Sequence, residues 1–226
     1  TTNRGTFLSL LYGCDIPAQG TPLRLALDYA GKYFSRTDSK GPWADVPGTT
    51  SGSSYSCRRS YTILMTDGYW NGSAATSPAS NNNDGTDGPT ITGPDGQSYT
   101  YSAVSPFTDG YSSTLADVAM HYWKNDLHTG LANRVPPSAV NPAFWQHMVT
   151  FGVGFGVTGT VTPADAFAAI SGGQTITWPA PSDTGASENV DDLLHMAVNS
   201  RGGYFSAKDP DSFAAQLAGM LEEIVS

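Results

Sequence analysis

Positive charge is scarce in this chain: its 226 residues carry 11 Lys+Arg against 20 Asp+Glu, a formal net charge of -9. Such a surface repels a phosphate backbone and lacks a basic footprint, so nucleic acid is not an expected partner. Long apolar runs are absent as well. No stretch reaches the roughly 18 residues that a membrane span needs, and Thr1 to Thr6 has no basic run leading into an apolar block, so neither a span nor a signal peptide is read here. Charged residues are only 14% of the total, which argues against a coiled coil. Cysteine is limited to Cys14 and Cys57, without the paired partner ligands of a zinc site. What remains is 39% hydrophobic residues with 25 Gly and 15 Pro, the mark of one decorated globular domain with long, polar, uncharged loops. Low Lys and abundant Ser, Thr, Asn, Gly and Tyr read as a secreted composition, where an even cysteine count favours a Cys14–Cys57 disulfide over two buried thiols.

Along the chain, Phe7 to Tyr12 forms a short apolar helix or turn, and Gly13 to Gly20 reads as a loop. Thr21 suits a helix N-cap and Pro22 the first helical position, and Leu23, Ala26, Leu27, Ala30 and Tyr33 or Phe34 recur at helical spacing. This predicts a helix of about 13 residues. Residues 36 to 60 are aperiodic and Pro/Gly-rich, a loop. Tyr61 to Thr66 is a β-favouring apolar run stopped by Asp67-Gly68, and Met148 to Gly154 is a second continuous apolar run. Both fit strands of a parallel sheet buried on both faces. Residues 69 to 111 form a long insertion with one small hairpin around Gly93 to Gly96. Ser113 or Thr114 caps a helix through Trp123, helices follow at 163 to 170 and 190 to 199, a strand at 203 to 207, and Asp211 or Ser212 caps a last amphipathic helix carrying Phe213, Leu217, Leu221 and Ile224. The alternation of helix and strand predicts right-handed crossovers and a sheet between helix layers.

Chemistry in such folds gathers at the carboxyl ends of the strands. Asp67 ends a strand there and Thr21 opens a helix, a carboxylate and a hydroxyl of the kind hard cations take. The oxygen-dense run Asn81 to Gly88 lacks the closing Glu of a calcium loop and reads as a solvated turn. His121, His128, His147 and His195 are scattered, with no His-x-x-x-His pair, and read as structural. No Gly-x-Ser-x-Gly, Walker or dinucleotide motif occurs. Of the five tryptophans, Trp43, Trp123, Trp145 and Trp178 read as core or loop anchors, and Trp70, just beyond Asp67, as the candidate ligand contact.

Several segments together, Gly20-Thr21-Pro22-Leu23-Arg24, Ile63 to Asn71, Trp145 to Gly154, Asn189 to His195 and Arg201 to Ser206, resemble the von Willebrand factor A domain of the PilY1/PilC family, the large adhesins at the tips of type IV pili. The resemblance spans nearly the whole chain. It implies an α/β, three-layer α/β/α, Rossmann-like domain over residues 1 to 226 with a mostly parallel sheet and with residues 69 to 111 inserted in it. It also implies a divalent cation, Mg²⁺ or else Mn²⁺ or Ca²⁺, held at the sheet edge by Thr21 and Asp67 as the second and third elements of the family's metal site. The first element, Asp-x-Ser-x-Ser, occurs nowhere; Asp183 to Ser187 comes nearest, with Gly185 at its third position. The domain is therefore expected to be N-terminally incomplete, to carry an unpaired sheet edge, and to gain stability from the upstream segment. In this frame a Cys14–Cys57 bridge would tie together the two segments that reach the metal edge, with roughly 3 to 4 kcal/mol from loop closure.

The expected function is that of a non-enzymatic adhesin module: extracellular, at the pilus tip or outer-membrane surface after export through the periplasm. Its expected partners are host or abiotic surface ligands and the minor pilins of the pilus tip, and it would support pilus biogenesis. The alternatives are a structural spacer with a degenerate metal site and, ranked below it, a metal-dependent hydrolase pairing Asp67 with Asp15 or Asp109.

Overall fold

The structure is a computed structural model and describes residues 2–15, 20–49, 52–172, 174–182, 184–207 and 210–225. Its centre is a parallel three-stranded sheet in the order β1 (Tyr61–Thr66), β4 (Val149–Phe155), β5 (Tyr204–Ala207). Tyr61 is in register with Val149 and Gly152 with Tyr204. One face is covered by α2 (Leu23–Phe34), α3 (Leu115–Lys124) and α5 (Glu188–Asn199), with α4 (Pro163–Ile170) against α5. On the other face Val149 and Phe151 meet Tyr61, Phe205 and Leu217 of α6 (Pro210–Val225). The layered α/β plan and the parallel sheet agree with the sequence. The small antiparallel hairpin of β2 (Thr90–Thr92) and β3 (Ser98–Thr100) sits where the insertion was expected to turn.

Four local expectations change. Only β4 is buried on both faces; β1 is an edge strand whose outward Ile63 and Met65 are 37% and 44% exposed, because α6 covers β4 and β5 and stops short of β1. Helix α2 starts at Leu23, with Pro22 at the cap position and no side-chain cap bond, so Thr21 does not cap it. The buried face of α2 is also rotated from the apolar register: Arg24, Leu27, Asp28 and Gly31 are inside, while Ala26 is exposed and Tyr33 is 43% exposed. Gly31 is what lets α3 come this close, since a Cβ there would lie 2.2 Å from the ring of Tyr122. Tyr122 donates to Asp28 at 2.6 Å, and Lys32 and Thr76 donate to the same carboxylate. Polar partners, not apolar periodicity, fix which face turns inward.

Finally, the expected disulfide is not formed. Cys14 and Cys57 are exposed free thiols. Cys14 follows the exposed helix α1 (Thr2–Tyr12), on which Phe7, Leu10, Leu11 and Tyr12 face solvent. The loop holding Cys57 is closed instead by Arg58, whose guanidinium donates to the carbonyls of Pro42 and Ala44. Residues 16–19, part of the expected loop before Thr21, lie outside the described residues, as does Asp183.

Candidate functional site

The carboxyl end of β1 leads straight into a junction of several segments. Thr66 Oγ1 accepts from the Gly68 amide at 3.2 Å, turning the chain sharply and leaving Asp67 exposed. Four residues on, Asn71 locks onto Thr21 in both directions: the Thr21 amide donates to Asn71 Oδ1 at 2.8 Å, and the Asn71 amide donates to the Thr21 carbonyl at 3.0 Å. Gly20 permits this approach, because a Cβ there would sit 2.3 Å from that same Oδ1. The fold thus brings half-buried Thr21 to the loop that Asp67 opens, as two residues of one sheet edge.

Trp70 is placed differently from an exposed contact residue. It is 2% exposed, clamped between the guanidinium of Arg24, 4.1 Å above its ring, and Asn189, which donates to its carbonyl at 2.7 Å. Its indole Nε1–H is buried with no hydrogen-bond partner, and a buried donor left unpaired is costly unless something completes it. The ring borders a cleft of about 570 Å³ walled also by Arg24, Gly72, Tyr111, Ser113 and Pro181. Arg24 spans the floor, donating to the carbonyls of Ser113 at 2.9 Å and Gly72 at 2.8 Å. Ser113 holds a left-handed backbone, φ 63, which costs a non-glycine residue energy that its surroundings must supply. Arg24 escaped the sequence reading although it lies in the segment beside Thr21; a cation in register with Leu27 and Gly31 on an amphipathic helix is the signal that marks it.

The insertion contradicts the solvated-turn reading. Asn83 and Asp84 are buried. Asp84 accepts from the Asp109 amide at 3.2 Å and from Asn199 Nδ2 at 3.0 Å, and Lys124 donates to the carbonyls of Asn83 and Thr86. Asn81, Gly85, Thr86 and Asp87 are exposed, so the solvated-turn reading fails at Asn83 and Asp84, whose partners are inside the protein. Burial, then the neighbouring Asp117 and Asp109, push the Asp84 carboxyl up to about 8. Asp109, a suggested partner of Asp67 for hydrolysis, faces His195, its Oδ2 3.4 Å from Nδ1. Asp15 is exposed beside the undescribed 16–19 segment. Trp43, Trp123, Trp145 and Trp178 are core residues, as expected.

These features define an α/β domain with a ligand-sized cleft at the carboxyl edge of a parallel sheet, the usual place for recognition in this architecture. The chain is homologous to a segment of a named protein. It is 40% identical over 91% of its length to the type IV pilus biogenesis factor PilY1 of Pseudomonas aeruginosa strain PAO1, 41% to that of strain PAK and 36% to that of strain UCBPP-PA14, with the same coverage. The chain spans 19% of the length of each of these relatives. No family model matches it, and no solved structure matches it. Among the described residues, no helix is long and apolar enough to cross a membrane.

Proposed function

We propose that this chain is a non-enzymatic binding module of a type IV pilus-associated adhesin, of von Willebrand A type, displayed outside the cell and supporting pilus biogenesis. The observation that carries this reading is the 40% identity over 91% of the chain to a type IV pilus biogenesis factor. The cleft at the sheet edge, bordered by Trp70 and walled by Arg24, is the surface it would use. The partners proposed are host or abiotic surface ligands and the minor pilins of the pilus tip.

A divalent cation, Mg²⁺ or else Mn²⁺ or Ca²⁺, belongs to this proposal. The donor chemistry fits: Asp67 is an exposed carboxylate, Thr21 a hydroxyl not spent on a helix cap, and hard cations accept such oxygens while keeping several waters. When bound, the ion supplies an open coordination position for a partner's carboxylate. One observation favours the spacer alternative with a degenerate metal site, namely the missing Asp-x-Ser-x-Ser element. A single experiment decides between them. The purified chain is bound to epithelial cells, to plastic and to purified minor pilins, with and without EDTA, alongside Asp67→Ala. Binding that EDTA and the substitution both abolish supports the adhesin; binding to none of these targets leaves the spacer.

A further inference from the structure

Away from the sheet edge, the insertion and α5 close around a second group of potential ligands. We propose that Asp84, Asp109 and His195 bind one divalent transition-metal ion of the zinc class, and that this ion fastens the insertion to the core. One ligand atom from each of the three lies within 4.8 Å of the others. His195 Nδ1 is 3.4 Å from Asp109 Oδ2, which matches the separation of about 3.4 Å between two ligands of a tetrahedral ion with bonds near 2.1 Å.

The histidine is held as a metal ligand would be. Its Nε2 meets the Phe107 carbonyl at 2.9 Å and lies 3.7 Å from Asp84 Oδ2, and its ring is stacked on Trp178 at 4.1 Å, which fixes its plane. A ring N–H given to a backbone carbonyl is the usual outer-shell support of a metal-bound imidazole. Nδ1 then turns a lone pair toward a carboxylate oxygen. Two acceptors face each other at 3.4 Å, an arrangement that a bound cation completes.

A separate feature points to the same ligand. Asn199 lies one helical turn beyond His195 on α5 and is fully buried. Its Nδ2 donates to Asp84 Oδ2 at 3.0 Å and to the Ala116 carbonyl at 3.3 Å, and among the described residues its Oδ1 has no hydrogen-bond partner. A buried amide oxygen left unpaired is a standing cost, and here it belongs to a side chain that already touches a proposed ligand. Asp84, Asp117 and Asp192 are buried around the site, with Lys124 and Arg201 the buried cations nearby. Carboxylate and imidazole donors in one set select a borderline ion such as Zn²⁺ over Ca²⁺ or Mg²⁺.

The ion would have a structural consequence at a distance. Asp84 and Asp109 come from the insertion and His195 from α5, while Gly110 and Tyr111, directly after Asp109, line the sheet-edge cleft. Occupancy would hold that wall in place. The test is calorimetric titration of ZnCl₂, MnCl₂, CaCl₂ and MgCl₂ into the chelator-stripped full chain, into Asp109→Asn and His195→Gln, and into Asp67→Ala to separate the sheet edge. The expected result is one Zn²⁺ per chain at micromolar or lower dissociation constant, unchanged in Asp67→Ala and weakened at least tenfold in Asp109→Asn, with a Zn²⁺-dependent rise in melting temperature. Should His195→Gln fail to fold, Asp109→Asn and the melting shift of the unsubstituted chain still decide. Absence of saturable Zn²⁺ binding, a preference for Ca²⁺ or Mg²⁺, or loss of binding in Asp67→Ala with retention in Asp109→Asn would each overturn the proposal.

Discussion

Aspartates occupy two regions of this molecule, and the contrast between them is instructive. At the sheet edge Asp67 is exposed on a turn. Under the insertion Asp84, Asp117 and Asp192 are at most 4% exposed. The first can be replaced at little structural cost and is free to meet a ligand. The others are built into the fold by accepting from backbone amides: Asp84 takes that of Asp109, Asp117 closes a capping box with Thr114 at the start of α3, and Asp192 reaches across from α5 to the next two amides. The same side chain meets solvent in one place and is a structural bond in the other. Desolvation makes the difference, since a buried carboxylate must be fully hydrogen-bonded or it takes up a proton.

Asp192 gives the comparison its largest expected effect. Its Oδ2 accepts from the Leu115 amide at 2.8 Å and its Oδ1 from the Ala116 amide at 3.0 Å, satisfying two of the donors that a helix start leaves open. Burial first, then Asp117 and Asp109, push its carboxyl up to about 7 against those bonds. Asp192→Ala strands both amides in the interior and should lower unfolding free energy by roughly 2 to 4 kcal/mol, read from urea denaturation. A loss below about 0.5 kcal/mol, the size typical of surface changes, would erase the distinction between the two regions.

Asp28 sharpens the comparison through pH. Burial raises its proton affinity, yet hydrogen bonds from Lys32, Tyr122 and Thr76 outweigh that and hold the carboxyl down at about 2. A carboxyl depressed in the folded state stabilises above its unfolded value of 3.8 and loses that contribution as pH falls toward 2. The expected contribution is on the order of 1 to 2 kcal/mol. Urea midpoints of the unsubstituted chain should therefore fall between pH 5 and pH 2.5 more steeply than those of Asp28→Asn, and parallel curves would show that the Lys32–Tyr122–Thr76 set does not act on this group.

Much of this plan was legible in the sequence, and the misses share a cause. The strands at 61 to 66 and 149 to 155 announce themselves as β-favouring, largely apolar runs, and Asp67 stands out because it ends one of them. Thr114 and Pro163 mark helix starts by residue type alone. Periodicity misplaces the face of α2 because it counts only apolar side chains, whereas Arg24 and Asp28 are buried with partners 48 or more residues away, at Gly72, Thr76, Ser113 and Tyr122. Asn83 and Asp84 were read as solvated for the same reason: Asn199 and Asp117, which satisfy them, are distant in the chain. His195 shows no metal spacing because its companions come from the insertion.

Asp67 carries the smallest structural effect and the sharpest division. It is exposed, and no buried amide depends on its carboxylate, so Asp67→Ala should leave the urea midpoint within about 0.5 kcal/mol of the unsubstituted chain. Its cost should appear only in binding. If the sheet edge holds a divalent ion, the substitution removes the only carboxylate proposed there, and Mg²⁺ or Mn²⁺ affinity, measured by calorimetry, should fall at least tenfold while the fold is unmoved. Asp192→Ala should do the reverse, weakening the fold and leaving cation affinity at the edge intact in the fraction that stays folded. A stability loss in Asp67→Ala comparable to that in Asp192→Ala would mean that the turn after β1 is part of the framework, and that the edge is no freer than the core.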